Sequence, residues 1–268
     1  MFHFLTHFSG RKFRNTACTG LLLLFFVLCP CLQFLAQAAQ LPEFEIVTEP
    51  FPPYQFRENG KIKGVTVDLL VLMLQRAGSR QGADDISMLP WARGYSIALN
   101  HKNGLLFSTT RTKEREKLFK WVGPIFQNTM MLIAKKQQHI KITQPEDLQN
   151  YRIGTVREDV GELYLKSLGV SMSQFSRNNT NTGNIQMLDR GRVNLIAQSW
   201  DFFIHDARAI GLNPHDFEPV FTLHSDDLYY AFHRQTPDRI IKTLQNIFDE
   251  LKAEGILERL MNDYRVSN

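Results

Sequence analysis

Residues 108–116, STTRTKERE, place three hydroxyls, Ser108, Thr109 and Thr110, directly before two arginines, Arg111 and Arg115. Hydroxyls, free backbone N–H groups and a guanidinium fork gathered in one place make a receptor for a carboxylate. Arginine suits the task because its planar paired donors stay charged at physiological pH even when buried. The neighbouring Lys113, Glu114, Glu116 and Lys117 read as a solvated face. Arg111 is open between the receptor and a surface ion pair.

Other segments supply possible walls for such a site. In PFPPYQF (50–56) three prolines stiffen a loop bearing Phe51 and Tyr54, which suits a preformed surface; Phe51 is assigned to the site and Tyr54 to a packed turn. PWARGY (90–95) puts Trp91 and Arg93 at the end of a strand, the side of an α/β sheet where ligands collect, although the pair could equally be a cation–π contact at the core rim. Trp121 is read as core. Glu49, Glu158 and Asp201 are the candidate acids or bases for catalysis, and no spacing brings two of them together. His205-Asp206, His215-Asp216 and HSDD (224–227) match no metal motif, and no phosphate-binding loop, G-x-S-x-G elbow or H-E-x-x-H is present. No cofactor and no metal is expected.

The compartment is read from residues 1–38, which hold Arg11, Lys12 and Arg14, no acidic residue, the apolar run LLLLFFVLCPCLQFLA, and then Ala36-Gln37-Ala38. This is the pattern of a secretory signal peptide cleaved after Ala38, with export to the periplasm. Pro30 and Gln33 interrupt the apolar run, leaving it short of the roughly 20 residues a spanning helix needs. Pro30 before Cys31 also argues against a lipoprotein signal. All three cysteines, Cys18, Cys29 and Cys31, fall in this leader, so the exported chain would have no disulfide, zinc–thiolate site or cysteine nucleophile. The 31 Lys and Arg less the three in the leader leave 28 against 27 Asp and Glu, which leaves no footprint for nucleic acid.

These candidates must be held by elements that alternate between strand and helix. Strands are expected at 44–49, 85–90 and 104–109 and helices at 67–78 and 92–100; this alternation implies an α/β fold with a parallel sheet covered by helices. After MMLIAKK (130–136) the class repeats, with helices at 145–150, 161–169 and 183–191 and strands at 151–156 and 192–198. Residues 176–184 read as a polar loop. The strand 227–234 precedes an amphipathic helix in which Ile240, Ile241, Leu244, Ile247, Phe248 and Leu251 recur at helical spacing. A chain that crosses to a second lobe and returns would supply the sheet that this helix covers.

TEPFPPYQFRENGKIKGVTVDLLVLM (48–73), STTRTKERE, FKWVGPI (119–125) and LDRGRVNLIAQ (188–198), in this order and spacing, resemble the bacterial extracellular solute-binding proteins of family 3, which serve amino-acid ABC transporters. The resemblance covers about residues 44–264. It implies an α/β, two-lobed periplasmic-binding-protein fold of type II with two hinge-crossing strands, lobe 1 comprising 39–131 and 233–268 and lobe 2 comprising 132–232. Such a monomer closes on a small-molecule ligand, an amino acid or an organic anion, and delivers it to an ABC permease or reports it to a membrane sensor. It implies that Arg115 holds a ligand carboxylate, with Ser108 and Thr110 completing the grip and Phe51 stacking on the ligand. A dehydratase-like enzyme acting on cyclic carboxylates is the alternative that the same fold allows.

The chain departs from the family pattern where the ligand ammonium would be gripped. Ser199 stands where an Asp is usual, with Asp201 two residues on, and GTVREDVGE (154–162) brings Arg157, Glu158 and Asp159 into a loop that usually holds small residues. Either Asp201 or Glu158 then substitutes for the missing acid, or Arg93, Arg111 and Arg115 together favour a ligand of net negative charge.

Overall fold

A computed structural model describes residues 41–265. The leader, its cleavage site and the three cysteines lie outside the described residues.

In chain order the described elements are β1 (Glu45–Thr48), β2 (Phe56–Glu58), β3 (Lys61–Lys63), α1 (Val65–Arg76), β4 (Ile86–Met88), α2 (Trp91–Asn100), β5 (Gly104–Thr110), β6 (Phe119–Lys135), β7 (Ile153–Val156), α3 (Val160–Ser167), β8 (Phe175–Asn178), α4 (Asn181–Asp189), β9 (Leu195–Gln198), α5 (Trp200–Ala209), β10 (Phe217–His233), α6 (Asp238–Ala253) and α7 (Ile256–Arg265). Eight strands form one sheet in the order β4-β1-β5-β10-β6-β9-β7-β8, and β2 pairs with β3 as a separate hairpin.

The α/β expectation holds, but the sheet is mixed rather than parallel. β4, β1 and β5 run parallel at one end and β9, β7 and β8 at the other, while β10 and β6 pair antiparallel with each other and with their outer neighbours. These two central strands are each 17 residues long and stay paired from Phe119↔His233 to Phe217↔Lys135. Both ends of the sheet are therefore joined through one continuous two-stranded ribbon.

Helices cover both faces, so the strands read as apolar runs whose side chains divide by parity. On β5, Leu105 and Phe107 join a core with α1 and α6, whereas Leu106 joins Trp91, Phe119 and Trp121 on the opposite face. On β10, Tyr230 and Phe232 go to the first core and Ala231 to the second. At the far end Leu132, Ala134, Leu195 and Ala197 pack with α3, while Ile133 and Ile196 pack with α4 and α5. The closing helix buries Ile240, Leu244, Ile247, Phe248 and Leu251, as its spacing requires.

Several local expectations are corrected. Residues 145–150 form a short 3₁₀ helix begun by Pro145, not an α-helix. The expected loop 176–184 holds most of β8, which pairs with β7, and the start of α4, capped by the Thr180 hydroxyl accepting from Gly183. The hairpin β2–β3, helix α5 and helix α7 have no counterpart in the sequence reading. The last follows a break at Gly255, whose φ of 72° ends α6 in a left-handed turn.

Candidate functional site

The carboxyl ends of β1, β5, β7 and β9 converge on a small, partly open cavity, at the edge of the sheet where α/β proteins collect ligands. Its wall comes from Glu49 after β1, Phe51 in the proline loop, Trp91 at the start of α2, and Ser108 and Thr110 on β5. Asn128, Met130 and Leu228 of the central ribbon form its floor. Asp159, Val160, Asn181, Ala197, Gln198 and Ser199 close the far side.

The proline loop is fixed to this wall through buried polar contacts. Gly64, with φ of 131°, precedes α1; a Cβ there would stand 2.3 Å from the Tyr54 carbonyl oxygen, so no side chain fits. Close approach lets the Thr66 N–H donate to the Tyr54 carbonyl at 3.0 Å, while the single proton of its hydroxyl has that carbonyl and Gln55 Oε1 as acceptors at 2.9 and 2.8 Å. Gln55 Oε1 also accepts from the Ser108 hydroxyl at 2.8 Å, tying the loop to β5. Phe51 is thereby held where its ring stacks on Phe202 of α5, with centroids 3.3 Å apart and planes 15° apart. Tyr54 stacks instead on Phe126, 3.7 Å away.

Arg115 sits in the turn after β5 and is 2% exposed. Its Nη2 donates to the Glu158 carbonyl at 3.0 Å and its Nη1 to the Thr110 carbonyl at 3.4 Å. The guanidinium carbon lies 5.2 and 5.1 Å from the ring centres of Trp91 and Tyr95, within cation–π range. Nε is buried with no partner among the described residues. Trp91 Nε1 donates to the same Glu158 carbonyl at 2.9 Å. Glu158 presents that oxygen from a left-handed conformation, φ 61°, which costs a residue with a Cβ roughly 1–2 kcal/mol.

Two carboxylates, Glu49 and Asp159, feel the charge of this guanidinium, and a third, Asp206, acts on Glu49. Burial pushes the Glu49 carboxyl well above the usual carboxylate range; the charges of Asp159 and Asp206 add to the rise, and Arg115 opposes it. Burial likewise raises Asp159, opposed by Arg115 and by the bond it accepts from the Val160 N–H. Asp206 lies on α5 and accepts from Gln198 Nε2 at 2.9 Å. Glu49 and Asp206 also line an adjoining chamber with Pro50, Pro90 and Asn179–Thr182.

Of the residues singled out in the sequence, Ser108, Thr110, Phe51, Trp91 and Ser199 line the cavity and Arg115 lies against two of its walls' residues, Thr110 and Trp91. Four others are placed elsewhere. Arg93 is on the exposed side of α2. Arg111 forms a two-pronged ion pair with Glu116, both contacts 2.7 Å, over the rings of Trp121 and Tyr229. The Glu158 side chain is exposed and pairs with Arg177 at 3.0 Å, so only its carbonyl faces inward. Asp201 opens onto a separate surface cleft with Pro52, Pro53 and Arg208. The positive set of Arg93, Arg111 and Arg115 is therefore not assembled, and neither Asp201 nor the Glu158 side chain faces the cavity.

The sequence reading places Asp159 in a charged loop of the site but gives no role to Gln198 in the wall or to Asp206 in the adjoining chamber, and it takes Glu49 only as a catalytic acid. Asp159 had a visible signal, since it stands as the N-cap before the amphipathic run VGELYL. Asp206 had none, because α5 itself was not foreseen.

The sequence pattern of the bacterial extracellular solute-binding proteins, family 3, matches residues 45–267. No curated protein matches the chain. Among solved structures, the P235GK mutant of ArgBP from T. maritima superposes with a TM-score of 0.70 at 21% identity, over 83% of this chain and 95% of that one. A histidine kinase sensor domain with similarity to periplasmic binding proteins gives 0.72 at 16% identity, over 83% and 96%. The arginine-, lysine-, histidine-binding protein ArtJ from Geobacillus stearothermophilus gives 0.68 at 17%, over 83% and 95%. With the mixed sheet, the central ribbon and the cavity at the strand ends, the match over residues 45–267 makes this chain a member of the bacterial extracellular solute-binding proteins, family 3.

Proposed function

We propose that the protein is a periplasmic solute receptor that closes on a small amino acid bearing a positively charged side chain and passes it to an ABC-type permease. The observation that carries this reading is the acidic lining of the site: Glu49 and Asp159 line the cavity, each acted on by the Arg115 guanidinium, and Asp206 adds to the rise of Glu49 from the adjoining chamber. Burial favours the protonated Glu49, and an entering cation offsets the cost of ionising it. Of the five N–H donors of Arg115, two are given to the carbonyls of Thr110 and Glu158 and the side chain also bonds the Tyr95 hydroxyl, which leaves Nε among the donors for a ligand carboxylate beside the Ser108 and Thr110 hydroxyls. The arginine- and lysine-binding proteins among the structural neighbours support the same ligand class.

In this reading the molecule has two lobes that hinge on the central ribbon and work as a monomer without catalysis. The lobes divide on β6 between Phe126 and Met130, and on β10 between Leu223 and Tyr229, where the apolar partners change from one core to the next. Tyr230 and Phe232, which pack with α1 and α6, support a β10 crossing before residue 230 in this reading.

A sensory receptor is the second reading, favoured by the likeness to a histidine kinase sensor domain. Calorimetric titration with L-arginine, L-lysine and L-glutamate tests the ligand class. The expected result is binding of the first two; binding of L-glutamate alone contradicts it. Uptake of the bound amino acid by cells with and without the protein separates transport from sensing.

A further inference from the structure

Gln198 ends β9, is 3% exposed and lines the cavity. Its amide nitrogen donates to the Asp206 carboxylate at 2.9 Å, yet its amide oxygen is buried and has no hydrogen-bond partner among the described residues. A buried acceptor left unmet costs about 1–3 kcal/mol, so this oxygen calls for a donor. The amide cannot turn around to meet one differently: an ionised carboxylate only accepts, so Asp206 holds the NH₂ end and the oxygen is forced to the other side.

We propose that Gln198 Oε1 receives an N–H of the ligand's cationic group, and that Asp206 is the positioning residue that fixes the amide with its acceptor toward the ligand. The position next in sequence, Ser199, lines the same cavity but carries no charge, and its hydroxyl makes no capping bond to α5. Gln198 and the acids around it thus supply a cation receptor built from an oriented amide dipole flanked by Glu49, rather than from one carboxylate in direct contact. Such a receptor selects ligands rich in N–H donors, because a ligand group with only acceptors would leave the oxygen unmet. This rests on the cationic-ligand reading above.

The test is a double-mutant cycle on the affinity for L-arginine, using Gln198→Met, which keeps length and volume while removing both polar atoms, with Asp206→Asn and the pair combined. Each single change is expected to weaken L-arginine at least tenfold. The double variant should bind no worse than about threefold below the weaker single, because Asp206 acts through Gln198. Gln198→Met binding within twofold of wild type overturns the proposal, and so do losses that multiply in the double variant, which would show Asp206 acting by its own charge. If Gln198→Met fails to fold by circular dichroism, Gln198→Asn takes its place: its shorter amide cannot reach Asp206 and the ligand together, and the same tenfold loss is expected. Wild-type protein that fails to bind L-arginine overturns the cationic reading and this assignment together, whereas binding that is indifferent to both variants overturns this assignment alone.

Discussion

Arg115 and Trp91 donate to one acceptor, the backbone carbonyl of Glu158, at 3.0 and 2.9 Å. The donors follow β5 and begin α2, and the acceptor follows β7, so this oxygen joins the two ends of the sheet directly above the cavity. Arg115 is thus committed to the loop of Glu158 and Asp159 as well as to the ligand assigned to it.

Replacing Arg115 with Ala is expected to cost about 2–5 kcal/mol of ligand affinity, because it removes both the donors assigned to the ligand carboxylate and the charge that opposes the raised titration of Glu49 and Asp159. Arg115→Lys should not restore binding, since a single ammonium cannot reach the Thr110 and Glu158 carbonyls while also forking a carboxylate. Arg111→Ala and Arg93→Ala should bind within twofold of wild type. Calorimetry on the four variants checks this, and equal losses for Arg111 and Arg115 would contradict it.

Glu158 holds φ at 61°, where a Cβ is strained and glycine is not. Comparing Glu158→Gly with Glu158→Ala removes the exposed Arg177 pair in both and isolates the backbone. The glycine variant should be the more stable by about 1 kcal/mol, read from denaturant unfolding. A more stable alanine variant would mean that the loop does not keep this conformation in solution.

Glu49 gives the site a pH dependence whose sign can be worked out. Its carboxyl titrates above the ordinary value of 4.5 in the folded protein because of burial and the charges of Asp159 and Asp206. The folded state therefore binds the proton more tightly than the unfolded chain, so this contribution to stability is full below about 4.5 and is lost as pH rises through the raised value. A cationic ligand favours the ionised carboxylate and expels that proton. Affinity for L-arginine should rise with pH across this window, with proton release measurable from titrations in buffers of different ionisation enthalpy. Glu49→Gln should flatten the dependence.

The Phe51–Phe202 stack joins the proline loop to α5, and it should contribute to closure beyond the area it buries. A double-mutant cycle of Phe51→Leu and Phe202→Leu on ligand affinity is expected to show a coupling of about 0.5–1.5 kcal/mol. Strict additivity would place the stack outside the closing motion.

The sequence made the near wall of the site legible, because its residues lie in runs whose order is itself informative: Phe51 in PFPPYQF, Trp91 opening α2, and Ser108, Thr110 and Arg115 in one stretch. The apolar periodicity of α6 was equally clear. What stayed hidden depends on contacts between distant segments. Nothing local distinguishes Arg111 from Arg115; the first has Glu116 within reach, and the second turns under Trp91 and Tyr95. Glu158 drew attention as a charge, yet its carbonyl is what faces inward. Helix α5 is not legible, although its buried Phe203 and Ala207 stand four residues apart, because so short a run carries a single such repeat, and with it go Asp206 and the orientation of Gln198. The direction of β6 and β10 was likewise invisible, since antiparallel and parallel strands buried on both faces have the same apolar pattern.

The proposed occupant of the cavity, where Glu49 and Asp159 feel the charge of Arg115, is a small cationic amino acid. The most direct test of this assignment is the shift in unfolding midpoint when the protein is heated with L-arginine, L-lysine, L-citrulline, L-glutamate or succinate, because a ligand at about 100 times its dissociation constant adds roughly 2.7 kcal/mol of stability. The expected result is a rise with L-arginine or L-lysine that exceeds the rise with uncharged L-citrulline, and none with L-glutamate or succinate. Stabilisation by L-glutamate or succinate without any by the two cations would contradict it.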